Sequence, residues 1–199
     1  TGATSGIGEA TARLLAQKYH LVLCGRRKER LEKLQSELNT EVQILSFDIQ
    51  NRSDVFEAID SLPSAWKEID ILINNAGNAH GLDLIQEGNP DDWDAMMDIN
   101  VKGLHLRSIA GLEASPKGNV YCASKHAVDA LTKGMRMDLN EHGIKVTSID
   151  PGLVETEFSE VRFKGDSDRA KQGYQNYTPL TAQDVAETIE FASSRPPHV

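Results

Sequence analysis

Short apolar runs alternate with longer amphipathic runs along this chain. HLVLCG (20–25) and VQILSFDI (42–49) read as strands, because branched and large apolar side chains cluster over a few consecutive positions. Between them, RRKERLEKLQSEL (26–38) repeats leucine at helical spacing on a charged background and predicts a helix. SDVFEAIDSL (53–62) predicts a second helix, IDILINNAG (69–77) a third strand, and DDWDAMMDINVKGL a helix starting near residue 91. NVYCASKHAVDAL (119–131) is helix-like, with Val120, Ala123, Ala127 and Leu131 as its packing positions. IKVTSIDPG (144–152) reads as a further strand, and residues 153–180, with little periodicity, as a long functional loop. AQDVAETIEFASS (182–194) predicts a last helix with Thr181 as its N-cap. Such alternation predicts an α/β fold, a doubly wound parallel sheet with helices on both faces in three α/β/α layers. No repeat or linker interrupts it, so a single domain over 1–199 is expected.

Composition narrows the function. Charged residues are 26% and apolar residues 39% of the 199, an ordinary globular balance, and the net charge is -9. An acidic chain without a Lys/Arg block is a poor partner for nucleic acid or an anionic membrane. No apolar run approaches the roughly 20 residues that span a bilayer. The two cysteines, Cys24 and Cys122, stand apart, which predicts no disulfide framework and fits a reducing cytoplasm. Cys122 reads as a small buried apolar residue. The six histidines lack metal-ligand spacing, so no catalytic metal is expected. His80 and His105 have no nucleophile to pair with and read as loop or surface residues.

Chemistry enters at the start. In TGATSGIGEATARLLAQ, Gly2, Gly6 and Gly8 lead straight into an amphipathic helix. Glycines let the backbone turn tightly and approach a pyrophosphate, and the helix start offers free N–H groups and a favourable dipole. The next strand ends Cys24-Gly25-Arg26-Arg27, without the acid that would accept the ribose 2′-hydroxyl of NAD. Guanidinium groups there suit the 2′-phosphate of NADP. A solvated first turn of a basic helix is the plain alternative, but arginines at a helix start oppose its dipole, which a bound anion would explain.

Tyr121 and Lys125 stand four apart, one helical turn on one face, with Ser108 and Asn100 upstream. A phenol ionises near pH ~10, too high for a base at neutral pH, and a neighbouring cation lowers that value. Phenol, cation and nicotinamide together suit reduction of a carbonyl or oxidation of an alcohol.

These stretches together resemble the short-chain dehydrogenase/reductase family. TGATSGIG is similar to its glycine motif, NNAG (74–77) to the motif after its fourth strand, Ser108 with YCASK to its active site, and DPGLVET (150–156) to the motif after its sixth strand. The resemblance implies that Tyr121 is the general acid/base and that Lys125 lowers its pKa and holds the nicotinamide ribose. It implies that Ser108 orients the substrate oxygen and that Asn100 holds a water relaying protons to Lys125. For the cofactor it implies Thr1, Gly2, Ser5, Gly6, Ile7 and Gly8 at the turn, then Arg26 and Arg27, with Asp48 and Ile49 near the adenine. It further implies Asn74, Ala76 and Gly77, the pair Tyr121 and Lys125, and Pro151, Gly152, Val154 and Thr156 over the nicotinamide.

GRRKERLEKL, DPGLVETEFSEVRFKGD and QNYTPLTAQDVAE also resemble the NADP-dependent 3-hydroxy acid dehydrogenases. That implies a small substrate such as serine, L-allo-threonine or 3-hydroxypropionate, bound by Ser108, Tyr121 and a cation that reads its carboxylate. Arg162 is the candidate cation, a solvated lid residue or an intersubunit ion pair being the alternatives. A carbonyl reductase for another small ketone or 3-oxoacyl thioester, and a non-catalytic NADP-binding sensor, are the other functions carried forward. The family commonly assembles as homotetramers through the helix bearing YxxxK, where Val128, Leu131, Met135 and Leu139 could form a seam or a core.

The chain departs from the family in one respect. The family's sheet order is 3-2-1-4-5-6-7, and strands 1, 5 and 7 are missing. Only VKGLHLR separates Asn100 from Ser108, too short for the helix and strand expected there. The resulting expectation is that the sequence joins two pieces of a longer chain, with a break near Arg107–Ser108.

Overall fold

The computed structural model describes residues 1–103, 108–172, 174, 177–196 and 198. The junction at Arg107–Ser108 and His105 lie at or outside the edge of the described residues. In chain order the helices are α1 (Gly6–Leu15), α2 (Lys28–Glu37), α3 (Arg52–Asp60), α4 (Pro90–Met97), α5 (Asn119–Leu139), α6 (Glu157–Arg162), α7 (Ser167–Gln172) and α8 (Ala182–Ser193). The parallel strands are β1 (Leu21–Gly25) and β2 (Val42–Ser46). The chain forms two compact units, Thr1–Ala76 with Thr181–Val199, and Gly77–Leu180. No helix among the described residues is long and apolar enough to cross a membrane.

In the first unit β1 pairs with β2 from Leu21↔Val42 to Gly25↔Ser46, and α2 is the crossover. A parallel pair needs such a connection, and α2 shields the ladder with Leu31 and Leu34. Those leucines, one helical turn apart, meet Leu23, Val42, Ala3 and Ala12 in a core where Leu31 is 0% exposed. Gln35 Nε2 donates to Val42 O at 2.6 Å, tying α2 to the strand it feeds. On α8, Val185, Ala186 and Ile189 are buried, and the helix packs against α1. Thr181 caps it in a reciprocal box: its Oγ1 accepts from Asp184 N at 3.2 Å, and Asp184 accepts from Thr181 N at 2.7 Å.

Residues 69–77 do not form the expected strand: among the described residues they carry no ladder. The same holds for 144–152 in the second unit. A strand exists only where another backbone lies alongside: β1 and β2 have each other, and neither of these runs is laddered to a second strand among the described residues. The unladdered runs leave Leu72 67% and Ile144 52% exposed, where a sheet would bury them.

The second unit contains α4 to α7 and a short strand, Val154–Glu155. Asn89 caps α4 by accepting from Asp91 N at 2.9 Å, with Pro90 following. A π-helical turn, Asp98–Lys102, continues it. The 153–180 segment departs from the expected loop, since α6 and α7 form there. Thr156 starts α6, its hydroxyl accepting from Phe158 N at 3.3 Å. The packing face of α5 is also rotated from expectation. Ala123 and Leu131 face outward, while Cys122, Ser124, Lys125, Val128 and Thr132 are buried. Spacing alone gives each side of this helix an apolar stripe; the neighbours choose the side holding Lys125.

Candidate active site

Two clusters hold the predicted residues, one in each unit. The first is the glycine turn. Gly2 and Gly6 adopt φ of 69° and 54°, which glycine tolerates. A Cβ on Gly8 would collide with Gly2 O and the Asn75 amide, so the turn admits no side chain there. Thr1 Oγ1 accepts from the N–H groups of Asn75 and Ala76, each at 3.0 Å, and Asn75 Nδ2 donates to Thr1 O at 3.0 Å. These bonds hold the turn against 73–76 without a ladder.

Arg27 belongs to this turn. Its Nε donates to Thr4 Oγ1 at 3.2 Å, and its Nη2 donates to Thr4 Oγ1 at 3.0 Å and Ser5 Oγ at 2.8 Å. Arg26 is exposed and stands 3.7 Å from Asp48. Asp48 also accepts from Gln50 N at 3.0 Å. Two guanidinium groups, two hydroxyls and a helix start with no room for a Cβ form a cradle suited to phosphate. The side chains present thus fit a nucleotide carrying an extra phosphate.

The second cluster surrounds Tyr121. Burial pushes the pKa of the phenol up; the Arg162 charge and then a hydrogen bond with Ser108 pull it down, and the net displacement is upward. Lys125 Nζ lies 5.3 Å from the Tyr121 ring centroid, and Arg162 Cζ lies 4.7 Å from it. Lys125 is 0% exposed. Burial first, then the Arg162 charge, bring its pKa down to about 7. Arg162 is not a solvated lid residue. Its guanidinium also lies 5.6 Å from the Phe158 ring, and its Nε is buried with no hydrogen-bond partner among the described residues. A pocket bearing His80, Asn89, Trp93, Met96, Asn119 and Tyr121 on its wall opens beside the phenol.

Asn100, fully buried, clasps the backbone of one residue on both sides. Its Oδ1 accepts from Asn78 N at 3.0 Å, and its Nδ2 donates to Asn78 O at 2.9 Å and to Ser124 Oγ at 3.1 Å. Ser124 Oγ donates in turn to Tyr121 O at 2.7 Å, so Asn100 braces the turn of α5 that carries the phenol. The Asn78 amide reaches His80 Nε2 at 2.7 Å. Sequence reading passed over Ser124 and Asn78, whose importance shows only as burial and partners. Pro151 and Gly152 lie in the unladdered run, and Val154 in the short strand after it.

The family model described as short chain dehydrogenase matches residues 1–106 and 104–167. The NADP-dependent 3-hydroxy acid dehydrogenase of Escherichia coli K12 is 41% identical over 221 aligned positions, covering 100% of this chain and 89% of that protein. The alignment is longer than the 199-residue chain, so the relative carries segments that this chain lacks. Serine 3-dehydrogenase of Rhizobium radiobacter is 37% identical, with 100% and 88% covered. A closed serine dehydrogenase structure with NADP+ superposes with a TM-score of 0.96 at 40% identity, covering 100% of this chain and 89% of that one. The fold is therefore the Rossmann-type α/β fold. With the family model matched from the glycine turn past Tyr121 and Lys125, and with relatives this similar over its whole length, the chain belongs to the short-chain dehydrogenase family.

Proposed function

We propose that this protein is an NADP-dependent oxidoreductase interconverting a small 3-hydroxy acid and its 3-oxo form. One observation carries the reading: Tyr121, bonded to Ser108, is flanked by buried Lys125 and half-buried Arg162 beside a pocket. Relatives named as 3-hydroxy acid and serine dehydrogenases support it. The phosphate cradle of Arg26, Arg27, Thr4 and Ser5 selects NADP. Gly2, Gly6, Ile7 and Gly8 face its pyrophosphate, Asp48 and Ile49 its adenine, and Asn74, Ala76, Gly77, Pro151, Gly152, Val154 and Thr156 its nicotinamide half. Thr1 shapes the turn.

When bound, NADP supplies the hydride acceptor for the carbinol carbon. Tyr121 Oη takes the hydroxyl proton, while Ser108 Oγ holds the same oxygen. Lys125 stabilises the phenolate; the Asn100 amide, its hydrogens given to Asn78 O and Ser124 Oγ, has none left for the relay water that the resemblance implies and instead braces the turn of α5. The buried Arg162 Nε, lacking a partner among the described residues, reads the substrate carboxylate. One catalytic domain over 1–199 is supported by the family model, which runs through both units. The outward face of α5, with Leu131 and Met137 exposed, suits a homotetramer seam, and a cytoplasmic location suits the free cysteines.

The test is NADP reduction with L-serine, L-allo-threonine, 3-hydroxypropionate and a neutral secondary alcohol, each repeated with NAD. Turnover of the acids with NADP is expected. Turnover of the neutral alcohol alone would make the protein a general carbonyl reductase. Cofactor binding without turnover of any substrate would make it a sensor.

A further inference from the structure

Among the described residues two that are not glycine hold a positive φ, Lys117 at 63° and Lys164 at 53°. L side chains take that conformation at a cost, so a lysine held there points to a function. Lys164 pairs at 2.9 Å with Asp92, on the wall of the pocket beside Tyr121. Lys117 lines the same pocket. Ser115 O accepts from Gly118 N at 3.0 Å, which closes a tight turn with Pro116 and Lys117 at its centre. Proline second and a positive φ third is the pattern of a type II turn, whose third place favours glycine or asparagine. This chain puts a lysine there.

The turn is fastened to the helix that carries the phenol. Gly118 O accepts from Cys122 N at 2.7 Å, and Ser115 Oγ lies 3.7 Å from Cys122 Sγ. A Cβ on Gly118 would meet both of those side-chain atoms, so turn and helix pack without a gap. The backbone of Lys117 is therefore fixed relative to Tyr121. Asn119 Nδ2 donates to Asp83 O at 3.3 Å and ties the start of α5 to another part of the wall. The carboxylates of the pocket face cations: Asp92 faces Lys164, and Asp83 lies 4.0 Å from Arg169. Lys117 is exposed, and no carboxylate pairs with it among the described residues. The pocket thus keeps a spare cation at its rim, separate from the Arg162 guanidinium stacked on the Tyr121 ring.

We propose that Lys117 is a specificity-determining residue that reads a second anionic group at the far end of the substrate, so that the preferred substrate is a 3-hydroxy dicarboxylic acid. The inference rests on the oxidoreductase reading: Arg162 takes the near carboxylate, Tyr121 and Ser108 the hydroxyl, and Lys117 the far carboxylate. The chemistry is unchanged. The carbinol hydrogen leaves as hydride to NADP+, the hydroxyl proton goes to Tyr121, and a 3-oxo diacid forms. A compact ammonium on a flexible stem suits a far group that varies in position, whereas the planar fork of Arg162 suits a near one held in register with the hydroxyl.

The test uses the full chain with NADP. Glutarate, which has no hydroxyl to oxidise, is titrated calorimetrically beside its monomethyl ester, which keeps the length and loses one charge. Glutarate should bind about five- to tenfold more tightly, between the worth of an exposed ion pair and that of a charged hydrogen bond. Lys117→Gln should remove most of that preference, and Lys117→Arg should keep it. Lys117→Gly suits the turn better than lysine does, so it guards against a variant that simply misfolds, and it should lose the preference as Lys117→Gln does. Equal binding of the two ligands by the wild type, or a preference that survives in Lys117→Gln or Lys117→Gly, overturns the proposal. In turnover, 3-hydroxyglutarate should be favoured over its monomethyl ester by a similar factor, carried by KM. A binding preference without that difference in KM would overturn the role in specificity. The titration needs no turnover, so a protein that shows the preference and oxidises neither compound refutes the oxidoreductase reading and leaves Lys117 as the reader of the far anion.

Discussion

Arg27 and Arg162 are the same side chain in opposite circumstances. Arg27 is stitched to the hydroxyls of Thr4 and Ser5, its Nε and Nη2 both bonded. Arg162 is stacked on aromatic rings, and its Nε is buried with no partner among the described residues. A stitched guanidinium has spent donors on its own chain and displays charge to an anion arriving from outside. A stacked one keeps a donor in reserve and imposes its charge on the ring beneath it. The same contrast separates Arg26, exposed beside Asp48, from Lys125, wholly buried. Burial turns a binding charge into one that governs protons.

Variants can break this contrast. The largest effect belongs to the group that both cations flank: Tyr121→Phe should lower kcat about 10²–10⁴-fold while cofactor binding, followed by fluorescence titration, stays near wild type. Persistent turnover would remove Tyr121 from the proton path.

Lys125→Met should stabilise the fold, and the gain should depend on pH. The folded-state pKa is about 7 against an ordinary 10.5. Below pH 7 both folded and unfolded chains carry the charge, and the full cost of burying it is felt. Between about 7 and 10.5 the unfolded chain binds more protons, so wild-type stability rises with pH and the advantage of Lys125→Met fades. The gain below pH 7 should be on the order of a few kcal/mol, since one pH unit is worth about 1.4 kcal/mol. Urea unfolding across that window checks it, and a pH-independent difference would contradict the depressed pKa.

Arg27→Ala should weaken NADP about ten- to a hundredfold, the worth of a charged hydrogen bond, and leave NAD nearly unchanged. Equal losses for both cofactors would mean that Arg27 shapes the turn without reading a phosphate. The smallest effect is expected from Arg162→Lys, which keeps the charge and loses the planar fork. KM for 3-hydroxypropionate should rise by about tenfold or less, with KM for NADP unchanged. A rise in the NADP value instead would erase the distinction between the two arginines.

Much of this was readable along the chain. The glycine turn, β1, α2, β2, α4, α8 and the Thr181 cap are local features, each set by spacing, capping or a conformation only glycine takes easily. Tyr121 and Lys125 were legible as a pair because four residues make one helical turn. Residues 69–77 and 144–152 show the other side. Their apolar pattern is as strand-like as that of β1, yet a strand exists only where another backbone lies alongside, and neither run is laddered to one among the described residues. In α5 the pattern allowed two packing faces, and contact with neighbours buried Lys125 in place of Leu131. Asn100, Ser124 and Asn78 gave no sign in sequence of the clasp they form across 22 and 24 residues, because hydrogen bonds between distant positions leave no period. The residue order thus determined which helices form and which side chains share a face. Which face is buried, which strand finds a ladder and which cation loses its water were decided by packing, because solvent exclusion depends on every segment that closes around a site.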